Sequence, residues 1–122
     1  MKTTQRNALN AFSVIAVMAR KPMNSTAAYK LFKLKKALSE IVEFQAEQEK
    51  KLVGEHGGSI TETGRVSFND KAKEEEYTKA YRELQGLECD VPVERLTMRL
   101  VDVPEITIAE IESLDPFIEW KE

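Results

Sequence analysis

The stretch from Ser25 to Val53 reads STAAYKLFKLKKALSEIVEFQAEQEKKLV and contains neither glycine nor proline. Its leucine, isoleucine and glutamine residues recur at alternating steps of three and four, which is the heptad pattern of one helical face. The sequence therefore predicts one long helix over this stretch, with a seam along one side that becomes polar in its second half. The seam residues are Leu31, Leu34, Leu38, Ile41, Gln45, Gln48 and Leu52.

A shorter helix is predicted before the long one, from Thr4 to Ala19. Pro22 separates the two helices, because proline cannot continue a helix and pushes the preceding residue out of the helical region. A connection of a few residues makes the two helices antiparallel neighbours, so the sequence predicts a helical hairpin. The apolar stripe expected to face the long helix comprises Ala8, Leu9, Phe12, Ile15, Ala16 and Ala19, which leaves Val14, Val17 and Met18 outside it.

The rest of the chain predicts shorter elements of both kinds. The turn residues and apolar spacing indicate a small hairpin over Ser59–Phe68, a helix over Asp70–Gln85 and strands within Leu87–Val101. Thr107 and Glu110 fit a capping box, so a last short helix should begin at Ile108. The predicted fold class is α+β, with an antiparallel helical hairpin packed against a small antiparallel sheet and two further short helices. A length of 122 residues is typical of one domain, here 1–122, with the helical hairpin over 1–53 and the remaining elements over 54–122.

The charge is distributed unevenly along the chain. Residues Met1–Ser39 carry eight Lys or Arg and no Asp or Glu, whereas Glu40–Glu122 carry ten Lys or Arg and 21 Asp or Glu. Two interpretations remain open: the two segments neutralise each other within the fold, or the basic segment faces nucleic acid or an acidic protein. Neutralisation is favoured, because no aromatic interleaving or base-reading motif is recognisable in the basic segment.

The sequence lacks the usual signatures of catalytic and cofactor sites. His56 is the only histidine and Cys89 the only cysteine, which excludes most catalytic triads and zinc sites and any disulfide within the chain. No glycine-rich phosphate loop or nucleophile elbow is present. We therefore expect a protein that is not an enzyme and has no cofactor and no metal. The apolar run Ala11–Ala19 is too short to span a bilayer and no cleavage site follows it, so we expect a cytoplasmic protein with no membrane partner.

Several segments within Asn7–His56 and near the C-terminal end form a recognisable order, namely Lys21-Pro22-Met23, Tyr29–Lys36, Glu40–Phe44, Lys50–His56, Glu105-Ile106-Thr107 and Leu114–Ile118. In these segments the chain resembles a family of small proteins of unknown function encoded by tailed bacteriophages and prophages. The resemblance covers most of the chain as a pattern, and it implies a role in virion assembly or host takeover, in the host cytoplasm or the virion.

These observations predict a non-enzymatic phage or prophage protein that acts by protein–protein interaction, as a virion assembly factor or a small structural adaptor. The partner is a phage structural protein or a host protein, and self-association through the Leu31–Leu52 seam is expected. The residues predicted to contact the partner are Val14, Val17, Met18, Phe32, Lys33, Lys36, Phe117, Ile118 and Trp120.

Two other functions remain alternatives. The acidic segment could imitate a phosphate array, in which case the protein would be an anti-defence inhibitor that occludes a host nuclease or signalling enzyme. The basic segment could instead bind nucleic acid, with steeply salt-dependent affinity. The basic residues that would do so are Arg20, Lys21, Lys30, Lys33, Lys35 and Lys36.

Overall fold

A computed structural model describes all 122 residues of the chain. It contains four α-helices, six short strands and one turn of 3₁₀-helix, so the α+β class is confirmed. In chain order the elements are β1 (Lys2–Thr4), α1 (Gln5–Met18), α2 (Ser25–Glu55), β2 (Ser59–Ile60), β3 (Val66–Ser67), α3 (Lys71–Gln85), β4 (Glu88–Asp90), β5 (Leu96–Arg99), the 3₁₀ turn (Leu100–Asp102), α4 (Ile108–Leu114) and β6 (Ile118–Lys121).

The predicted helical hairpin is formed by α1 and α2. Helix α2 has 31 residues and is therefore about 46 Å long. It begins where predicted, because the side chain of Asn24 accepts a hydrogen bond from the backbone N–H of Ala27 at 2.9 Å and caps the first turn. The end of α1 lines a groove with the start of α2, whereas Leu9 of α1 lies beside Val42 in the second half of α2. The two helices are therefore antiparallel.

The buried stripe of α1 differs from the predicted one. The residues enclosed in the core are Ala8, Ala11, Ile15 and Met18, whereas the predicted inward residues Ala16 and Ala19 are exposed. Helix α1 packs against α4 as well as α2, so the stripe that faces both neighbours is rotated toward Ala11 and Met18. Position 18, predicted to be free for a partner, is thus part of the core.

The strands form three separate two-stranded sheets instead of one small antiparallel sheet. Strands β1 and β4 pair antiparallel, as do β2 and β3 in the predicted hairpin. Strands β5 and β6 pair in parallel, with Leu96 opposite Ile118 and Met98 opposite Trp120. The pairing is parallel because α4 reverses the chain between the two strands, as a crossover helix does.

The predicted third and fourth helices are confirmed. Helix α3 follows its cap residue Asp70, and α4 begins at Ile108 behind a complete capping box. In that box the hydroxyl of Thr107 accepts from the N–H of Glu110 at 3.2 Å, and the Glu110 carboxylate accepts from the N–H of Thr107 at 2.9 Å.

One apolar core joins the helical hairpin to the C-terminal elements. It excludes Phe32, Phe44 and Tyr29, which are exposed on α2. The enclosed members are Ala8, Ala11, Ile15, Met18, Ala27, Leu31, Leu34, Leu38, Val91, Met98, Val103, Leu114, Phe117 and Ile118.

Candidate protein-interaction surface

The first half of α2 exposes two aromatic rings. Tyr29 is 60% exposed and Phe32 is 58% exposed. Leu31, Leu34 and Leu38 turn toward the core on one side of the helix, so a residue at position 29 or 32 must lie outside that side. The two rings stack on each other with centroids 6.3 Å apart and an interplanar angle of 26°. Exposed aromatic rings of this size are characteristic of protein interfaces.

Lysine residues surround these rings. The ammonium of Lys33 lies 5.5 Å from the centroid of the Tyr29 ring, and that of Lys35 lies 5.4 Å from the centroid of the Phe12 ring on α1. These distances are within the range of cation–π attraction. No carboxylate pairs with Lys33, Lys35 or Lys36 in the chain. Their charges are therefore available to an external anion.

An apolar groove runs between the end of α1 and the start of α2. Its main depression has a volume of about 390 Å³, and an adjoining depression of about 330 Å³ shares Phe32 and Lys35 with it. We call this region the α1–α2 groove. Apolar floor residues and cationic rim residues together suit an amphipathic segment that carries acidic residues. The groove is lined by Phe12, Ile15, Ala19, Lys21, Met23, Ala28, Leu31, Phe32, Lys35, Lys36 and Ser39.

A second depression of about 440 Å³ lies on the other side of the aromatic pair. It is formed by Tyr29, Lys33 and the loop that contains Glu94 and Arg95. The largest depression, about 530 Å³, lies on α3 and has no hydrophobic residue in its lining. Because apolar contact supplies most binding energy at protein interfaces, the α1–α2 groove is the better candidate.

The structure leaves four of the nine predicted contact residues exposed. Phe32, Lys33 and Lys36 are exposed on α2, and Val17 is 60% exposed on α1. Val14 and Trp120 are half-buried and pack against the core.

Three predicted contact residues are corrected by their burial. Met18, Phe117 and Ile118 have no exposed surface, because they are enclosed in the core. Met18 lies on the face of α1 that packs against other elements, and Ile118 belongs to β6, which pairs with β5. These three side chains cannot contact a partner while the chain is folded.

The first half of the Leu31–Leu52 seam, through which self-association is predicted, is enclosed in the core. Leu31, Leu34 and Leu38 are at most 3% exposed, since α1 and the C-terminal elements cover them within one chain. Sequence reasoning missed the contribution of Tyr29 and Phe12 to the exposed surface. The i, i+3 spacing of Tyr29 and Phe32 outside the seam was the available signal. Sequence reasoning also found no aromatic residues interleaved with the basic segment. In the fold, the Tyr29 and Phe12 rings do lie beside its lysines.

The polar end of the seam meets α3 at a junction of three helices. Gln45 is 2% exposed, and neither its amide oxygen nor its amide nitrogen has a hydrogen-bond partner in the chain. An adjacent cleft of about 350 Å³ is lined mostly by side chains with polar groups. Unpaired buried amides destabilise a fold, which marks this junction as a weak point of the packing. The residues around the cleft are Leu9, Asn10, Ser13, Val42, Gln45, Ala46, Glu49, Tyr81 and Gln85.

Aromatic side chains hold the far end of α2 against α3. The Tyr77 ring lies with its centroid 4.9 Å from that of Phe68, 5.9 Å from that of Tyr81 and 6.3 Å from that of His56. The pKa of Tyr77 is raised to about 12, mainly by burial and to a smaller extent by the nearby Glu49 carboxylate and Tyr81. The phenol is therefore neutral at physiological pH and serves in packing.

The only histidine and the only cysteine of the chain have ordinary structural surroundings. The Nδ1 atom of His56 donates to the backbone carbonyl of Leu52 at 2.7 Å. Burial, with the neighbouring Asp90 and Glu88 carboxylates, raises the pKa of the Cys89 thiol. That thiol is protonated at neutral pH and is a poor nucleophile. No three His, Cys, Asp or Glu side chains come together as a metal site would require.

No protein-family model matches the chain, and no curated protein or solved structure is significantly similar to it. None of the helices is both long enough and apolar enough to cross a membrane.

Proposed function

We propose that this protein is a non-enzymatic phage or prophage protein that acts by protein–protein interaction, as a virion assembly factor or a small structural adaptor. The observation that carries the interaction is the exposed Phe32 ring beside Lys35 and Lys36, neither of which forms an ion pair in the chain. An exposed phenylalanine at the mouth of an apolar groove contributes binding energy when a partner covers it.

The chemistry of the α1–α2 groove specifies the kind of partner. The exposed side chains of Ala19, Ala28 and Phe32 offer apolar surface in the groove, and the lysines on the rim attract carboxylates. A helical or extended segment of the partner with alternating acidic and apolar residues satisfies both. Lys21 on the rim is already neutralised by Glu110 at 2.7 Å, so Lys35 and Lys36 are the cations that recognise the partner.

The phage or prophage origin is supported by the resemblance described above, which lies in Asn7–His56 and the C-terminal segments. That resemblance favours a virion protein or an assembly intermediate as the partner. The host cytoplasm, where virions assemble, is then the place of action.

Affinity capture from cells that are producing virions tests this proposal. Tagged protein should recover virion structural proteins, and the double variant Phe32→Ser with Lys35→Glu should recover at least about tenfold less, because it removes the apolar anchor and reverses a charge. Lys79→Glu, an exposed charge reversal on α3, is the matched control and should recover as much as the natural chain. Equal recovery by all three proteins would exclude the groove, and recovery of a host nuclease or signalling enzyme instead would favour the anti-defence alternative.

Nucleic-acid binding is a second candidate because of one specific observation. The stacked pair of Tyr29 and Phe32 beside Lys33 has the composition of a surface on which unpaired bases stack. A short fluorescent single-stranded DNA at low salt is the appropriate probe, with anisotropy as the readout. Binding that weakens with salt and is lost on Tyr29→Ala would support this function, and unchanged anisotropy at low salt would exclude it.

A further inference from the structure

A continuous stripe of exposed polar residues runs along α2 on the side opposite the core. Its members follow one another at steps of three or four residues and cover less than a third of the helix circumference. All of them are exposed, and no charged member forms an ion pair within the chain. We call this stripe the outer face, and it consists of Tyr29, Lys33, Lys36, Glu40, Glu43, Glu47 and Lys51.

The outer face has a charge order that is complementary to its own reverse. Two lysines near the N-terminal end are followed by three glutamates and then by Lys51. In an antiparallel pair of α2 helices with a two-fold axis beside Glu40, Lys33 of one copy lies opposite Glu47 of the other. Lys36 then lies next to Glu43 of the other copy, and Tyr29 opposite Lys51. Two-fold symmetry repeats each pairing, so four ion pairs and two cation–π contacts form, against one like-charge contact where Glu40 meets its own copy at the axis.

We propose that the outer face binds a second copy of this chain in this antiparallel arrangement. The inference deepens the proposed function, on which it rests, by giving its self-association a geometry and a partner. The surface that it assigns to self-association is the outer face, which lies on the opposite side of α2 from the buried seam. The main depression of the α1–α2 groove remains open on each copy, because Ala19, Ala28 and Lys35 lie away from the outer face, whereas Lys36 belongs to both surfaces and Phe32 borders the outer face.

Other occupants fit the outer face less well. A nucleic acid would be repelled by Glu40, Glu43 and Glu47 at the centre of the stripe. A parallel pair of helices would place lysine against lysine and glutamate against glutamate. The mixed order of charges therefore selects the antiparallel copy. The exposed ring of Phe44, 42% accessible, borders the stripe and adds apolar area.

Disulfide trapping of the full chain tests the arrangement. In a Cys89→Ser background, Glu40→Cys should form a covalent dimer under mild oxidation, because the two-fold axis brings residue 40 next to its own copy. Lys33→Cys alone should not, since its copy lies about 20 Å away along the helix axis. A mixture of the Lys33→Cys and Glu47→Cys proteins should form the mixed dimer. Equal trapping of Lys33→Cys and Glu40→Cys, or no trapping of any variant, would overturn the proposal.

Charge reversal supplies a second readout that does not depend on cysteine geometry. Lys33→Glu with Lys36→Glu should weaken self-association by about tenfold or more in sedimentation, because four attractions become repulsions. Mixing that protein with Glu43→Lys, Glu47→Lys should restore association between the two variants. An unchanged dissociation constant, or no restoration on mixing, counts against the pair.

Failures of the two proposals are distinguishable. These assays contain only the protein itself, whereas the capture assay measures virion proteins bound at the α1–α2 groove. Loss of trapping with normal capture removes the two-fold pair and leaves the proposed function. Normal trapping with no virion protein captured removes the adaptor role and leaves the pair.

Discussion

Lys21 and Glu110 form an ion pair in which both side chains are largely covered. The ammonium lies 2.7 Å from the Oε1 atom of Glu110, and it also donates to the carbonyl of Glu105 at 3.0 Å. The pair fastens the turn between α1 and α2 to the start of α4. Burial alone would favour the protonated carboxyl, but the hydrogen bonds from Lys21 and Thr107 and the Lys21 charge lower the pKa of Glu110 below its ordinary value.

The substitution Lys21→Met should reduce the free energy of unfolding by about 2 kcal/mol at neutral pH, because it leaves a covered carboxylate without its cation. A group whose pKa is lowered by folding stabilises the fold above its unfolded pKa, near 4.5, and loses that contribution as the pH falls through the lowered value. The difference between the two proteins should therefore shrink at about pH 3. Urea unfolding at neutral pH and at about pH 3 measures this difference in the free energy of unfolding, with Lys2→Met as an exposed control. A difference that is the same at both pH values would contradict the role of the Glu110 charge.

Gln45 is the residue at which the seam of α2 fits its surroundings least well. Methionine has nearly the same shape and no groups that need hydrogen bonds, so Gln45→Met should raise the free energy of unfolding by about 1 kcal/mol. Gln48→Met, at a half-buried position one turn later, should change it much less. Thermal unfolding of both variants measures the effect. A clear loss of stability in Gln45→Met would mean that the amide has a partner in solution.

At the scale of the element, α2 is a helix with two chemically different sides. Leu34 is 1% exposed and Phe32 is 58% exposed, although only one residue lies between them. Leu34→Ala should cost about 3 kcal/mol of stability, and Phe32→Ala should change stability by less than about 0.5 kcal/mol. Denaturant unfolding of both variants compares them. A loss of comparable size in Phe32→Ala would show that another part of the chain covers the ring.

The elements that sequence reasoning recovered are those with local signals. Helix α2 has a heptad pattern and a cap at Asn24, and α4 has the Thr107–Glu110 box, so their beginnings were predicted correctly. Strands β1 and β6 were missed, because each has only three or four residues. Strand β1 pairs with β4, which is remote in sequence, and β6 pairs with β5 across a crossover helix. Such short strands carry no periodicity of their own.

Part of the candidate surface could also be predicted, because helical spacing is a local signal. Phe32, Lys33 and Lys36 could be placed outside the seam from helical spacing alone, and they are exposed. Phe117 and Ile118 could not be placed, since an apolar C-terminal cluster is compatible with a core position and with a contact site. Only the pairing of β6 with β5 decides between the two.

At the scale of the whole molecule, the C-terminal segment completes the core. Phe117 and Ile118 are both fully buried, and the backbone of Phe117 accepts a hydrogen bond from the N–H of Leu96 at 2.9 Å. Deletion of residues 117–122 should therefore unfold the chain at room temperature, because the loss of each such side chain costs about 3 kcal/mol. Circular dichroism of the deletion variant measures this. Replacement of the last two residues alone should be harmless, and a folded deletion variant would contradict the assignment of this segment to the core.

The central claim is that the exposed lysine-rich side of α2 is where this protein meets its partner. Cross-linking of the captured complex with an amine-reactive reagent, followed by mass spectrometry, locates that contact directly. We predict that the cross-links to the partner start from Lys35 and Lys36, which line the α1–α2 groove. Cross-links that start mainly from Lys71, Lys73 and Lys79 on α3, with none from α2, would contradict the claim.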